Sequence, residues 1–194
     1  FMLAGPFGLG RYASRTSPEW TSWRDVLRNA KATGMRIGLH ASYEAREGET
    51  YGEERRRIED AAEVRVTCQR NHYLRYDPVR HWGQLECAGI EYDFSLGFVN
   101  RTGFRSGTAQ CHRTFNFDEG RESTVRAVPM VFMDTCLGGS DERCLLSGLR
   151  QTLLAARASA GCHSAVARRP RLLNSAQASG WRGEPLNSRC SSRW

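Results

Sequence analysis

Met35-Arg36-Ile37-Gly38-Leu39-His40-Ala41-Ser42-Tyr43-Glu44 is an apolar run that ends in small residues. It then sets a histidine, a serine, a tyrosine and a carboxylate on a turn. The end of a buried strand has this character when its loop carries chemistry. In parallel α/β folds, side chains at the carboxyl ends of strands point into the site. The run predicts a strand over 35–39 and a loop over 40–50.

The flanks extend this reading. Upstream, 1–10 reads as a strand and a Gly-rich loop. Ser17-Pro18-Glu19 carries helix-start signals: a cap, a first-turn proline and an acid that complements the dipole. The helix they predict covers 18–32, buries Trp20, Trp23, Val26, Leu27 and Ala30, and stops at Thr33-Gly34. Downstream, 52–63 is a charged helix with Ile58, Ala61 and Ala62 on its apolar side. Residues 64–68 are β-branched and strand-like, and lead into Arg70-Asn71-His72-Tyr73-Leu74-Arg75. Asp77-Pro78 opens a helix to Ala88, closed by Gly89, and 90–93 is a short strand. Strands alternating with helices predict an α/β fold with parallel strands and right-handed crossovers.

Residues 94–118 read as a loop-rich insert, 126–134 as one apolar strand ending in Asp134. Residues 141–159 read as a helix, with Leu145, Leu146, Leu149, Leu153 and Leu154 at near-helical spacing. Beyond 159 the composition changes. Glu184 is the single acid among many arginines and serines, and no periodicity remains. The chain therefore divides into an α/β domain, 1–159, and a basic tail, 160–194.

Composition narrows the function classes. The 194 residues are 40% hydrophobic and 25% charged, as in ordinary globular domains. No stretch approaches the roughly 18–20 apolar residues of a membrane span. The first eight residues are apolar, but too short and without the basic flank of a signal peptide. The net charge is +7, yet Lys31 is the one lysine among 28 basic residues, which points to arginine-rich coding. The arginines are interspersed with acids up to the tail, and no helix-turn-helix, zinc-finger or RNP signature is present. A nucleic-acid partner is therefore not expected. Seven cysteines without C-x-x-C spacing argue against a structural zinc site. Their odd, irregular set fits a reducing compartment and slightly favours a cytoplasmic location, which stays open because the region that would carry a signal is expected before Phe1.

Several strand ends present imidazole or carboxylate: His40, the Arg70/His72 pair, Asp93 and Asp134. A metal-assisted hydrolase needs such a set for ligands and proton transfer. Arg105 sits in Gly103-Phe104-Arg105-Ser106-Gly107-Thr108, where two glycines fix its direction. Phe94, Phe98, Phe104, Phe115 and Phe117 either line a sugar groove or form the insert's own small core. No Gly-x-Ser-x-Gly elbow, P-loop or dinucleotide fingerprint occurs.

Gly38-Leu39-His40-Ala41-Ser42-Tyr43, Arg70-Asn71-His72-Tyr73-Leu74-Arg75, Tyr92-Asp93-Phe94-Ser95-Leu96-Gly97-Phe98 and Gly103-Phe104-Arg105-Ser106-Gly107-Thr108 follow one another in that order. Phe117-Asp118, Pro129 and Met133-Asp134 come next. Across about 1–155 this set resembles a bacterial branch of the polysaccharide deacetylase family, the nodulation-protein-B-like carbohydrate esterases. The resemblance implies a distorted (β/α) barrel and a divalent metal, usually zinc, whose bound water attacks the N-acetyl carbonyl of an amino-sugar polymer. It implies His40 as a metal ligand, with Tyr43 and Glu44 where the family carries a second histidine. It places Arg70 and His72 at the groove-lining arginine motif, and Asp93 and Arg105 on a later strand and its loop, all four on the substrate side. The family's Asp-Asp motif belongs to a first strand that would precede Phe1, so the chain reads as a fragment, incomplete or inactive as given. A non-catalytic carbohydrate-binding relative is the alternative. The family's late histidine motif is expected near 162–168, where Cys162-His163-Ser164 stands. Codons for 161–168 read one base later permit Ala-Val-Thr-Leu-Leu-Trp-His, which makes 160–194 a candidate out-of-frame segment.

Overall fold

The computed structural model describes residues 1–8, 11–17, 20–133, 135, 142–158 and 165–167. In chain order the elements are β1 (Met2–Leu3), α1 (Thr21–Ala32), β2 (Leu39–Ala41), α2 (Gly48–Ala62) and β3 (Cys68–Asn71), the last running into a short 3-10 turn, His72–Leu74. Next come α3 (His81–Cys87), β4 (Tyr92–Asp93), β5 (His112–Asn116), β6 (Arg121–Ala127), β7 (Met130–Met133), α4 (Glu142–Ala158) and β8 (Ala165–Ala167).

Six strands form one sheet in the order β1-β2-β3-β4-β6-β5. All neighbours pair parallel except β5, which runs antiparallel on β6. The first four strands add to the sheet one after another, each crossover carrying a helix. With crossovers of the usual right hand, this order puts the helices on one face. The packing agrees: α1 lies against α2, α2 against α3, and α3 against β6. The expected α/β class with parallel strands is therefore what the chain forms.

The two-residue strand period sorts the sheet into two faces. Leu39, Ala41, Val125 and Ala127 point to the helix side and join Leu27, Tyr51, Ile58, Trp82 and Leu85 in the main core. Gln69, Asn71 and Asp93 are polar residues buried on that same side. The opposite face carries His40 level with Arg70, and Tyr92 level with Arg126, all only half-buried. A hydrophobic core on one side and a polar row on the other is what positions the site.

The strands do not coincide with the apolar runs. The runs at 35–39 and 64–68 predict strands, whereas β2 and β3 begin near the ends of those runs. Backbone donors explain the shift. Gly34, at φ 76°, turns the chain out of α1, and the Met35 amide bonds back to the Ala30 carbonyl. Met35 is thus part of the helix end and 59% exposed. Likewise Glu63, at φ 53°, ends α2, and the Val66 amide donates to Glu59 Oε1 at 2.8 Å. A residue whose amide is committed to a helix end cannot also donate that amide to a sheet ladder. His40 consequently stands within β2 rather than on the loop after it.

Other boundaries also move. The first helix starts at Thr21, and of its expected buried residues Leu27 is in the core while Trp20 and Val26 are exposed. The presumed insert contains β5, joined to β6 by a turn ending at Gly120, φ 64°. The single strand expected over 126–134 is two. Pro129 has no amide to continue β6, and the chain leaves as β7 for a second sheet. Its partner there is β8, parallel to it, within the segment read as a basic tail. Asp134, Cys162 and His163 lie outside the described residues.

Candidate functional site

His40 and Arg70 are paired across β2 and β3, and the chain turns immediately after β3 to bring His72 over them. The His40 Nδ1 lies 2.9 Å from the Arg70 carbonyl. Because a carbonyl only accepts, Nδ1 carries the proton and donates it. Burial, then the positive charge of Arg70 and the neighbouring His72, push the His40 pKa down to about 3. The imidazole is therefore neutral at pH 7, and its Nε2 holds a lone pair. That lone pair accepts from His72 Nδ1 at 3.0 Å, the rings standing nearly perpendicular at 86°.

An aromatic cluster adjoins His72 through Tyr73. Tyr12 stacks on Tyr43 with ring centroids 4.1 Å apart, and Tyr73 meets both edge-on. The Tyr73 ring is 4.5 Å from that of His72. Arg75 Nη1 donates to the Tyr43 carbonyl at 2.6 Å, and its guanidinium lies over the Tyr43 ring. Tyr73 and Leu74 both take positive φ, 57° and 52°. Two consecutive non-glycine residues in this region cost free energy that the surrounding contacts must offset. The outcome is that Leu74 turns into the interior while Tyr73 remains 48% exposed.

Asp93 belongs to a different cluster. Its side chain is fully buried at the end of β4. Oδ1 accepts from Gln69 Nε2 at 2.5 Å and from Ser95 Oγ at 2.6 Å, and Oδ2 lies 3.3 Å from His81 Nε2. Tyr76 stacks on His81, and the Arg105 guanidinium sits 5.6 Å from the Tyr76 ring centroid. Burial pushes the Tyr76 phenol up, with Arg105 opposing. A cavity of about 330 Å³ opens beside Tyr76 and His81, bordered also by Tyr51, Arg75 and Glu47.

The five sequence-derived site residues thus fall into two groups. His40, Arg70 and His72 converge. Asp93 is enclosed on the helix side of the sheet, with Arg105 outside it, exposed, on a loop whose glycines adopt φ 120° and 73°. The phenylalanines of the presumed insert disperse. Phe94 meets Phe1, Phe98 lies under Arg101, Phe104 packs near Val131 and Phe132, and Phe115 pairs with Phe117 on the hairpin. They form neither a common groove nor a common core.

Sequence reasoning missed the tyrosine cluster and His81. His81, Leu85 and Ala88 repeat at i, i+4 and i+7 and are all buried, a pattern that marks His81 as inward-facing. Tyr12 carries no such signal, because its contacts are made across the fold. Among the described residues, no group of three or more His, Cys, Asp or Glu side chains is placed to hold a metal ion. No helix among them is long and apolar enough to cross a membrane. No protein-family model matches the chain, and no curated protein sequence matches it.

Proposed function

We propose that this chain is a polysaccharide deacetylase-like, metal-dependent hydrolase domain that removes N-acetyl groups from amino-sugar polymers, built on part of a (β/α) barrel. Supporting the barrel is the winding: consecutive parallel strands, helices on one face, and a polar row on the other.

The observation that carries the function is the imidazole pair. His40 is held by its Nδ1–H on a backbone carbonyl with the Nε2 lone pair turned to His72. Metal-ligating histidines are oriented in this way by a second bond from the other ring nitrogen. With His72 in its other tautomer, the two nitrogens, now 3.0 Å apart in a hydrogen bond, would each turn a lone pair to a small divalent cation. His40 and His72 are therefore the residues that would hold zinc. A divalent cation there supplies Lewis acidity toward an acyl carbonyl and makes water nucleophilic near neutral pH. Arg70 fixes the His40 ring through its carbonyl, and Arg75 locks the loop that carries Tyr43.

The test is acetate release from an N-acetylated amino-sugar polymer with zinc added, compared with the chelated protein. Zinc-dependent release supports the reading. Zinc binding without release favours a non-catalytic carbohydrate-binding relative, the second reading. That alternative draws on the exposed Tyr73 ring and the guanidinium groups over Tyr12 and Tyr43, which suit a glycan without catalysis.

A further inference from the structure

We propose that Tyr73, buttressed by the Tyr12–Tyr43 stack, is a platform on which one pyranose ring of the glycan lies, next to the His40–His72 pair. The inference rests on the glycan reading above and adds the place where the sugar is held.

Three observations converge on it. First, a ring 48% exposed is held in place by neighbours rather than by burial: Tyr12 and Tyr43 meet it edge-on, with centroids 5.4 and 6.1 Å away. An exposed tyrosine free to rotate would not present a fixed face. Second, its presentation is costly. The consecutive positive φ values at Tyr73 and Leu74 are what send one side chain outward and the next inward, and such strain is characteristic of ligand-contacting segments. Third, charge selects the ligand. Guanidinium groups lie over both stacked rings, Arg11 at 5.3 Å from Tyr12 and Arg75 at 4.2 Å from Tyr43. They repel a cationic ligand and offer donors to hydroxyl and acyl oxygens. A pyranose has an apolar C–H face for a single aromatic ring and hydroxyls at its rim.

The experiment measures binding by calorimetry to a hexamer of N-acetylglucosamine, a hexamer of β-1,4-glucose and single-stranded oligothymidine. The proteins are the full chain, Tyr73→Ala and Tyr73→Phe, each with its melting curve recorded. The expected result is hexamer binding that weakens about 5- to 10-fold in Tyr73→Ala and is retained in Tyr73→Phe, as the loss of one aromatic contact implies. Equal binding by all three folded proteins overturns the platform and leaves the deacetylase reading intact. Loss on Tyr73→Ala with no zinc-dependent acetate release supports the platform and removes the deacetylase reading. No binding of either sugar by the full chain overturns the platform, as does oligothymidine binding that alone depends on Tyr73.

Discussion

Acidification probes the His40 environment directly. In the fold its pKa lies at about 3, against about 6.5 for the ordinary imidazole. Between those values the unfolded chain takes up a proton that the folded chain refuses. This contribution to stability is whole above pH 6.5 and drains as pH falls toward 3. The full linkage between pH 7 and 5 amounts to about 2 kcal/mol, and the partial exposure of the ring lowers the expected loss to about 1–2 kcal/mol. His40→Asn removes the titration and keeps an amide donor near the Nδ1 position for the Arg70 carbonyl. Urea unfolding of both proteins at pH 7, 6 and 5 isolates the difference, since distant groups cancel. Wild type should lose about 1–2 kcal/mol more than the variant over this range. Parallel stability curves would refute a neutral His40 held against protonation.

Asp93→Ala strips the acceptor from Gln69, Ser95 and His81 at once, and should cost about 3–5 kcal/mol in denaturant unfolding, the range for a broken buried polar network. A loss under about 1 kcal/mol would show that water replaces the carboxylate. Ile58→Ala, at a fully buried position between α2 and the sheet, should cost about 2–5 kcal/mol by the same measurement. Glu86 is held at about pKa 2, burial opposing but hydrogen bonds from Arg121, Asn116 and Thr124 prevailing. Its contribution is present above pH 4.5 and lost as pH falls toward 2. Glu86→Gln should therefore narrow its stability deficit against wild type on acidification through that window, whereas a constant deficit would contradict the pairing.

The alternation of helix and strand, and so the parallel α/β class, was legible from hydrophobic runs and from Gly34 and Gly89 at helix ends. Strand positions were not, because apolar runs mark hydrophobic side chains while pairing depends on which backbone amides are free. Val66 is fully buried yet its amide serves Glu59. The hairpin of β5 and β6 stayed hidden because its strands are polar and one edge is solvated. Within the site, His40 and Arg70 were legible as residues at neighbouring strand ends. The turn that folds His72 onto His40 was not, since it depends on left-handed backbone at Tyr73 and Leu74, which neither residue type signals. Asp93 looked like a strand-end carboxylate in the site. The two-residue strand period places it on the helix side instead, level with Gln69.

Zinc X-ray absorption on the metal-loaded chain, with His40→Ala and His72→Ala alongside, tests the central claim most directly. The account predicts two imidazole scatterers at about 2.0–2.1 Å from the metal in wild type and one in each variant, with weakened affinity. A zinc environment without imidazole, or one unchanged in both variants, would contradict it.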